Sequence, residues 1–339
     1  MKTITKNFIY NALYQLVAII VPLITTPYVS RVLGATNVGT VSYYHTMASY
    51  FLMFAMLGIN NYGNRTIARE KENNNRCNEL FSEIFCLQIM LTLISVVVYV
   101  IVVSSFVSDT HIAILEGLYV VSAFLDISWL FFGLEDFKVT ALRSSLIKIL
   151  STIAIFVFVK TANDIVQYII ICDGMYIVSN LVLFPRLRKH NVHLVKRNIR
   201  DVLSHFKSIC ILFLPLLGVS LYKYMDKLML GVMATKMEVG LYESSEKIIN
   251  VPVSFVSALG TVMLPRISNL MAKGENDSCN KYMDYSISIA VFLSVSMAFG
   301  ISAIVDTFVP VFYGPGYDKC ASLIPILMLA TVFLAVGNV

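Results

Sequence analysis

Charge is scarce in this sequence. Asp, Glu, Lys and Arg make up 14% of the 339 residues, against 57% for hydrophobic residues, and the mean hydropathy is +0.75. Soluble domains carry about 25% charged residues, so these values exclude an ordinary soluble domain. The net charge is +5, and loops that face anionic lipid headgroups explain this small excess. We therefore expect no nucleic-acid partner.

Sequence signatures of enzymes and metal sites are also missing. The chain has no G-x-S-x-G, H-E-x-x-H or P-loop motif, and each of these motifs carries a specific chemistry. It lacks the long polar loop with paired carboxylates that a membrane glycosyltransferase or polymerase would need. The cysteines show no C-x-x-C spacing, which argues against a disulfide framework or a zinc site. We expect no enzymatic activity, no metal site and no cofactor. The six cysteines are Cys77, Cys86, Cys172, Cys210, Cys279 and Cys320.

What fills the chain instead is a series of about ten long apolar runs. Most reach the roughly 20 residues that a helix needs to cross the hydrocarbon core of a bilayer. Only helices and closed barrels satisfy their backbone groups in lipid, and runs this continuous are typical of helices. The sequence therefore predicts an all-α polytopic membrane protein. The runs cover residues 8–33, 38–62, 80–103, 111–133, 144–160, 164–185, 208–233, 239–264, 282–304 and 319–339.

The 26 Lys and Arg residues fall mostly in alternate gaps between the runs. With the N-terminus in the cytoplasm, nineteen lie on the cytoplasmic side and three, Lys160, Lys236 and Lys319, lie outside. Positive residues near helix ends stay in the cytoplasm, so this distribution fixes the orientation. Four more, Arg31, Lys223, Lys227 and Lys247, lie inside the runs.

The longest cytoplasmic gap, a basic linker at residues 186–207, divides the chain. Residues 1–185 form a predicted N-lobe of six transmembrane helices, and residues 208–339 a C-lobe of four. Val38-Gly39 is echoed by Val239-Gly240, and Arg65 by Arg266. Repeats of equal orientation imply a pseudo-two-fold axis along the membrane normal, with the substrate path between two lobes. Because symmetry calls for six helices in each lobe and the chain stops in an apolar run, we expect a truncated C-lobe.

Prolines fall inside the run that opens each lobe. The first run contains Pro22 and Pro27, and the seventh contains Pro215. Proline removes a backbone hydrogen bond and crowds the preceding turn. We therefore expect both lobes to begin with a bent helix, which would suit alternating access.

Ionisable residues inside the runs are the main functional signal, because charge at membrane depth is costly. Helical spacing places Lys223, Asp226 and Lys227 on one face of the seventh run. The same spacing recurs in the eighth run, for Glu243, Glu246 and Lys247. These charges either form interhelical ion pairs and reach towards the interface, or they line a cationic cavity for a phosphorylated substrate.

Several segments resemble a known family. Residues 129–138, WLFFGLEDFK, resemble the inner end of the fourth helix in bacterial lipid-linked oligosaccharide flippases, the polysaccharide-biosynthesis branch of the MATE-like exporter superfamily. Residues 27–34 and 62–69 are similar to its first two helices, and residues 226–231 and 264–267 to its seventh and eighth.

The resemblance implies a two-lobe MATE-like helix bundle that acts as a flippase. Its substrate would be an undecaprenyl-pyrophosphate-linked oligosaccharide, moved across the bacterial plasma (inner) membrane by alternating access for O-antigen, capsule or related polysaccharide synthesis. Membrane lipid and a polysaccharide polymerase are the further expected partners. The alternative is a multidrug or cation antiporter of the same superfamily, whose cavity should be dominated by acids and aromatics.

Two sets of residues follow as site hypotheses. We assign the four intramembrane bases to the anionic headgroup: Arg31, Lys223, Lys227 and Lys247. We assign a second set to charge balance or to coupling with an H⁺ or Na⁺ gradient: His45, Asp126, Asp173, Asp226, Glu243 and Glu246.

Overall fold

A computed structural model of the chain describes residues 2–107 and 109–337. Side chains are described from residue 17 onward, apart from those at 258, 259, 261, 262, 264–266 and 336. Lys2, Lys6 and Arg266 of the predicted cytoplasmic set therefore lie outside the described side chains. Val339, where the C-lobe was expected to be cut short, lies outside the described residues.

Every regular element in the described residues is helical, as the apolar runs predict. Short 3₁₀ turns at Ser122–Leu125, Ala162–Asp164 and Arg188–His190 join some of the helices. The α-helices are Lys2–Met56 (α1), Ile59–Glu70 (α2), Asn74–Phe106 (α3), Thr110–Val121 (α4), Ser128–Gly133 (α5), Phe137–Phe158 (α6), Ile165–Leu181 (α7), Phe184–Leu187 (α8), Ile199–Ser204 (α9), Phe206–Met233 (α10), Lys236–Ala272 (α11), Asn276–Tyr313 (α12) and Lys319–Gly337 (α13).

The multi-pass character is clear, but the count of ten spans is not confirmed. In the described residues six helical segments are long and apolar enough to cross a membrane, and two shorter apolar helices accompany them. The first two predicted runs lie in one long helical segment. That segment leaves helical geometry at Gly34, where φ is 76° and ψ is 164°. The interruption therefore lies between the two runs, where glycine tolerates a positive φ, and not at Pro22 or Pro27.

The fourth predicted run, 111–133, is not a single helix. It is broken after the Ser122–Leu125 turn, where Asp126 adopts an extended conformation with a ψ of 94°. The amide nitrogen of buried Gln88 donates to the carbonyls of Ala123 and Asp126, at 2.6 and 2.9 Å, and the indole of Trp129 donates to the Gln88 oxygen at 2.9 Å. A break at membrane depth requires such partners, because lipid offers none.

The segment that carries the family resemblance is part of the core at this break. Trp129, Leu130 and Phe131 are fully buried, and they pack with buried residues of α3 and α2 such as Phe81 and Ile67. Large buried aromatic side chains contribute strongly to packing. This part of the resemblance therefore reflects the fold and not a binding site.

The chain separates into two compact units. The first consists of Met1–Tyr28 and Thr40–Thr235, and the second of Val29–Gly39 and Lys236–Val339. The first unit includes α10, whereas the predicted C-lobe begins at residue 208. The predicted lobe boundaries, 1–185, 186–207 and 208–339, stay a prediction.

Within the second unit, the two glycines of the predicted repeat meet at a close backbone crossing. A Cβ atom on Gly39 would lie 1.7 Å from the Lys236 carbonyl oxygen, and one on Gly240 would lie 2.0 Å from that of Ala35. The two Val-Gly pairs thus serve as a contact point between the segment 29–39 and α11. Only a residue without a side chain allows two helix backbones to approach this closely.

Replacing Gly240 tests the crossing. We expect Gly240→Ala to lower stability by about 1–3 kcal/mol or more, since the new methyl group overlaps a backbone oxygen that cannot move aside. Gly218→Ala is the matched control, because a Cβ at Gly218 has no atom within 4 Å. Thermal unfolding in detergent should show a clear fall for the first variant and none for the second. Equal melting temperatures would contradict the crossing.

Candidate functional site

Two buried carboxylic acids and a histidine meet inside the first unit. His45 on α1 lies 2.9 Å from Glu116 on α4, measured from Nδ1 to Oε2, and 3.8 Å from Asp173 on α7, measured from Nδ1 to Oδ1. The ligand atoms of the three residues all lie within 4.8 Å of one another. The side chains of Glu116 and Asp173 are 1% and 2% exposed, and that of His45 is 36% exposed. We call these residues the acidic trio.

Aromatic side chains separate the acidic trio from the rest of the unit. The ring of Tyr119 packs on the His45 ring, with centroids 4.5 Å apart, and Tyr176 packs edge-on against Tyr119 at 4.9 Å. The Ser49 hydroxyl donates to the His45 carbonyl at 2.8 Å. The imidazole is therefore held in place by Glu116 and Tyr119 on α4.

The electrostatics of the acidic trio call for a cation or a proton. With both carboxylates ionised and the imidazole neutral, the buried side chains of Glu116 and Asp173 would carry two negative charges without a counter-charge, and uncompensated buried charge is strongly unfavourable. One oxygen of Asp173, Oδ2, is buried and has no hydrogen-bond partner in the structure. The trio can therefore bind a proton shared between its members or a small cation. The sequence-based expectation of no metal site stays a prediction.

A cavity of about 650 Å³ lies beside the acidic trio in the same unit. Each surrounding helix presents one face to it at helical spacing. On α6 this face includes Ser144, Ile147, Lys148 and Ser151 at i, i+3, i+4 and i+7; the same spacing recurs on α1 and α7, and on α10 the lining residues are four apart. From α1, the lining residues are Ser49, Leu52, Met53 and Met56; from α7, Cys172, Met175, Tyr176, Ser179 and Asn180; from α10, Leu216, Ser220 and Tyr224.

The cavity wall combines polar and apolar side chains and carries more positive than negative charge. Arg143 and Lys148 line it, together with the single acid Asp126. Asp126 accepts a hydrogen bond from the Ser128 backbone nitrogen at 3.0 Å and one from the Ser128 hydroxyl. The Arg143 guanidinium reaches Asn180 Oδ1 and Ser128 Oγ at 3.4 Å each. These distances are long for charge-assisted hydrogen bonds. A stronger acceptor such as a phosphate could therefore take the place of Ser128 and Asn180 as the partner of Arg143.

The structure brings together some of the predicted coupling residues. His45 and Asp173 meet in the acidic trio, and Asp126 lines the cavity. In the second unit, Glu243 lies on α11 with Glu246, and the Glu243 carboxylate is 3.4 Å from the Lys247 ammonium. Asp226 lies on α10 in the first unit.

The predicted headgroup bases have different environments. On α10, Lys223 is exposed, with its ammonium 5.6 Å from the centre of the Tyr224 ring, whereas Lys227 is buried with 9% exposure. In the second unit, the Arg31 guanidinium donates to the Val311 carbonyl. The headgroup role of all four bases, Lys247 included, stays a prediction.

Sequence reasoning missed three residues of this site. Glu116 completes the acidic trio although it was not among the predicted coupling residues, and its position inside the fourth apolar run was an available signal. Arg143 and Lys148 were assigned to a cytoplasmic helix end. Lys148 lies within the fifth apolar run, 144–160. It shares the cavity-lining face of α6 with Ser144 and Ser151, and this stripe of polar residues could have identified it.

The arrangement of the helices defines the class of protein. Over 94% of this chain and 84% of the other, the structure is similar to a crystal structure of MATE in the bent conformation, with a TM-score of 0.51 and 13% sequence identity. At this identity the similarity shows the fold alone. The chain is therefore a multi-pass, all-α membrane protein with the MATE-like fold, as predicted.

The sequence identifies the family. A family model described as polysaccharide biosynthesis protein matches residues 4–271, and the chain belongs to this family. A protein of Shigella dysenteriae named as an O-antigen transporter is 22% identical over 98% of this chain and 84% of its own length. One of Escherichia coli K12 with the same name is 23% identical over 99% of this chain and 82% of its own. The predicted resemblance is thereby confirmed.

The protonation of the acidic trio can be measured directly. Because two buried carboxylates this close cannot both stay ionised without a counter-charge, we expect infrared spectroscopy at neutral pH to show a protonated carboxyl band that Glu116→Gln or Asp173→Asn removes. Asp126→Asn is the control and should leave the band intact, since Ser128 and the cavity solvate that carboxylate. A spectrum unchanged by both trio variants would contradict a shared proton.

Proposed function

We propose that the protein is a flippase that moves an undecaprenyl-pyrophosphate-linked oligosaccharide from the cytoplasmic to the outer face of the bacterial plasma membrane. Family membership and relatives named as O-antigen transporters support a role in polysaccharide export. The observation that carries the specific proposal is the polar cavity within a unit built of membrane-spanning helices.

The chemistry of the cavity suits such a headgroup. Sugar hydroxyls and amides cannot cross hydrocarbon without losing their hydrogen bonds, at a cost of several kcal/mol each. Serine, asparagine and tyrosine side chains on seven α-helices offer replacements. Arg143 and Lys148 supply positive charge for a pyrophosphate, for which Arg offers bidentate hydrogen bonds. The prenyl chain needs no such site, since it can remain in lipid.

Arg143 and Lys148 thus join the predicted headgroup bases. Both lie on α6 and face the same cavity, so one phosphate-containing group could contact the two together. In our proposal the four predicted bases, Arg31, Lys223, Lys227 and Lys247, contact the headgroup at other stages of an alternating-access cycle.

The acidic trio is the proposed coupling site, with a proton as its ion. It offers two carboxyl groups and an imidazole that can share a proton, whereas an alkali ion is bound best by a larger set of oxygen atoms. Tyr119 contacts His45 on one side and lines the cavity on the other. If the contact between Tyr119 and His45 differs between two conformations of the cavity, a change in the protonation of the acidic trio shifts the equilibrium between them.

A multidrug or cation antiporter is the second candidate, and the aromatic side chains beside the acidic trio are the observation in its favour. A cationic substrate would need acids in the cavity wall, yet there Arg143 and Lys148 outnumber Asp126. Export of cationic dyes by cells that express the protein, unaffected by Arg143→Gln and Lys148→Gln, would support the antiporter.

The orientation with a cytoplasmic N-terminus follows from the distribution of basic residues, and it belongs to the same proposal. In that orientation the linker 186–207 faces the cytoplasm. A polysaccharide polymerase that takes up the flipped substrate is the expected partner on the outer face.

Neutralising the cavity bases tests the headgroup site. Arg143→Gln and Lys148→Gln should each reduce surface polysaccharide in a flippase-deficient strain by about tenfold or more, because a hydrogen bond to a charged group contributes about 1.5–3 kcal/mol. Lys138→Gln, on the same helix but exposed, is the matched control. If the three variants export equally at equal expression, the cavity does not bind the headgroup.

The predicted bases on α10 have their own test. We expect Lys223→Gln and Lys227→Gln each to abolish complementation of the same strain, since each removes a positive charge assigned to the pyrophosphate. Lys223→Arg, which keeps the charge, serves as the control. Normal surface polysaccharide in both Gln variants would exclude these two lysines from the headgroup site.

A further inference from the structure

Residues 193–207 form a segment with an unusual surface, here called the surface segment. It contains an extended stretch, helix α9 and the first residues of α10. It follows the candidate membrane span Ala162–His190 and includes the first nine residues of the next candidate span, Ile199–Met233. The segment therefore lies where the chain leaves one span and begins the next.

One face of the surface segment is fixed to α3. Arg197 lies 2.6 Å from Glu83 and 3.1 Å from Glu79, and His205 Nε2 lies 2.8 Å from the other oxygen of Glu83. The backbone nitrogen of Val195 donates to the Ser82 hydroxyl at 2.8 Å. The Glu83 carboxylate is buried, with 2% exposed, and Arg197 is partly exposed; together these contacts hold the segment in one orientation.

The opposite face exposes large apolar side chains. Leu194, Ile199, Leu203 and Phe206 are 63%, 53%, 49% and 42% exposed. The last three occur at i, i+4 and i+7, so they lie along one side of a helix, while Val202 and His205 on the inner side are buried. An outward apolar face this extensive usually marks a surface that is covered in the native environment.

Basic side chains border the apolar face. Lys196, Arg200 and Lys207 are exposed, and Arg200 and Lys207 share one side of the helix by their spacing of seven. The one acid of the surface segment, Asp201, is 43% exposed and lies 3.6 Å from Arg197, on the side of the helix away from Leu203. The outward face thus combines apolar area with three positive charges and no acid.

We infer that the surface segment binds the anionic headgroup layer of the surrounding bilayer, with phosphatidylglycerol-type lipids as its ligands. Apolar side chains flanked by Lys and Arg are the chemistry of helices that lie in the plane of a membrane interface. Basic residues at that depth gain attraction to anionic lipid. The contacts of Glu83 with Arg197 and His205 orient the face towards the lipid. The inference requires a membrane-embedded chain but does not depend on which substrate is flipped.

Lipid retention tests the inference. The protein is reconstituted into nanodiscs of mixed phosphatidylglycerol and phosphatidylcholine, released into mild detergent, and examined by native mass spectrometry. We expect Arg200→Gln with Lys207→Gln to lower the preference for phosphatidylglycerol about 25-fold, because each of the two basic residues contributes about fivefold. Lys273→Gln with Lys281→Gln removes two exposed charges elsewhere and should leave the preference unchanged.

The other outcomes of the lipid-retention experiment would contradict the inference. An equal loss in both pairs would show a diffuse charge effect without a specific surface, and no loss in either pair would exclude lipid binding here. Hydroxyl-radical labelling in the nanodiscs gives a second readout. Leu203 and Phe206 should be protected in the wild type and labelled more strongly in the Arg200→Gln, Lys207→Gln variant. Strong labelling of both residues in the wild type would overturn the inference.

Discussion

Hydrocarbon offers no hydrogen-bond partner, and this constraint explains most of what is specific in the structure. A polar or charged group in a spanning helix must find its partner within the protein. Gln88 meets that requirement for the chain break at Asp126, and Arg197 and His205 do so for the buried Glu83 carboxylate. The acidic trio and the polar cavity are the places where the requirement is met incompletely by protein alone. For that reason they are the sites where a proton and a substrate headgroup are expected to bind.

The apolar runs and the family segments predicted much of the fold. An all-helical, multi-pass protein follows from run length and composition, because those depend only on the residues within each run, and the MATE-like fold follows from the resemblance of the family segments. The break in the run at 111–133 is a feature that run length and composition do not predict. Most of its residues are apolar, yet the helix is broken near Asp126, where Gln88 on α3 donates hydrogen bonds to the carbonyls of Ala123 and Asp126. The sequence of the run by itself does not indicate a hydrogen-bond donor on another helix.

The candidate site was predictable in part for the same reason. His45 and Asp173 could be selected because charge inside a run is informative on its own. Their meeting with Glu116 depends on the packing of α1, α4 and α7, which a single sequence does not specify. Arg143 was assigned by its distance from a run end, whereas its role depends on which side of α6 it occupies. The Val-Gly repeat was recognised as a symmetry signal, and its glycines prove to be a packing contact within one unit.

The central claim is that the cavity of the first unit receives a sugar-pyrophosphate headgroup, and photo-crosslinking tests it most directly. A lipid-linked oligosaccharide with a photoreactive sugar would be added to the reconstituted protein, and the labelled peptides identified by mass spectrometry. The account predicts labels on the cavity faces of α6 and α7, at residues such as Ser144, Ser151 and Ser179. Labels confined to the lipid-exposed side of α6, at residues such as Leu146 and Ile153, would contradict it.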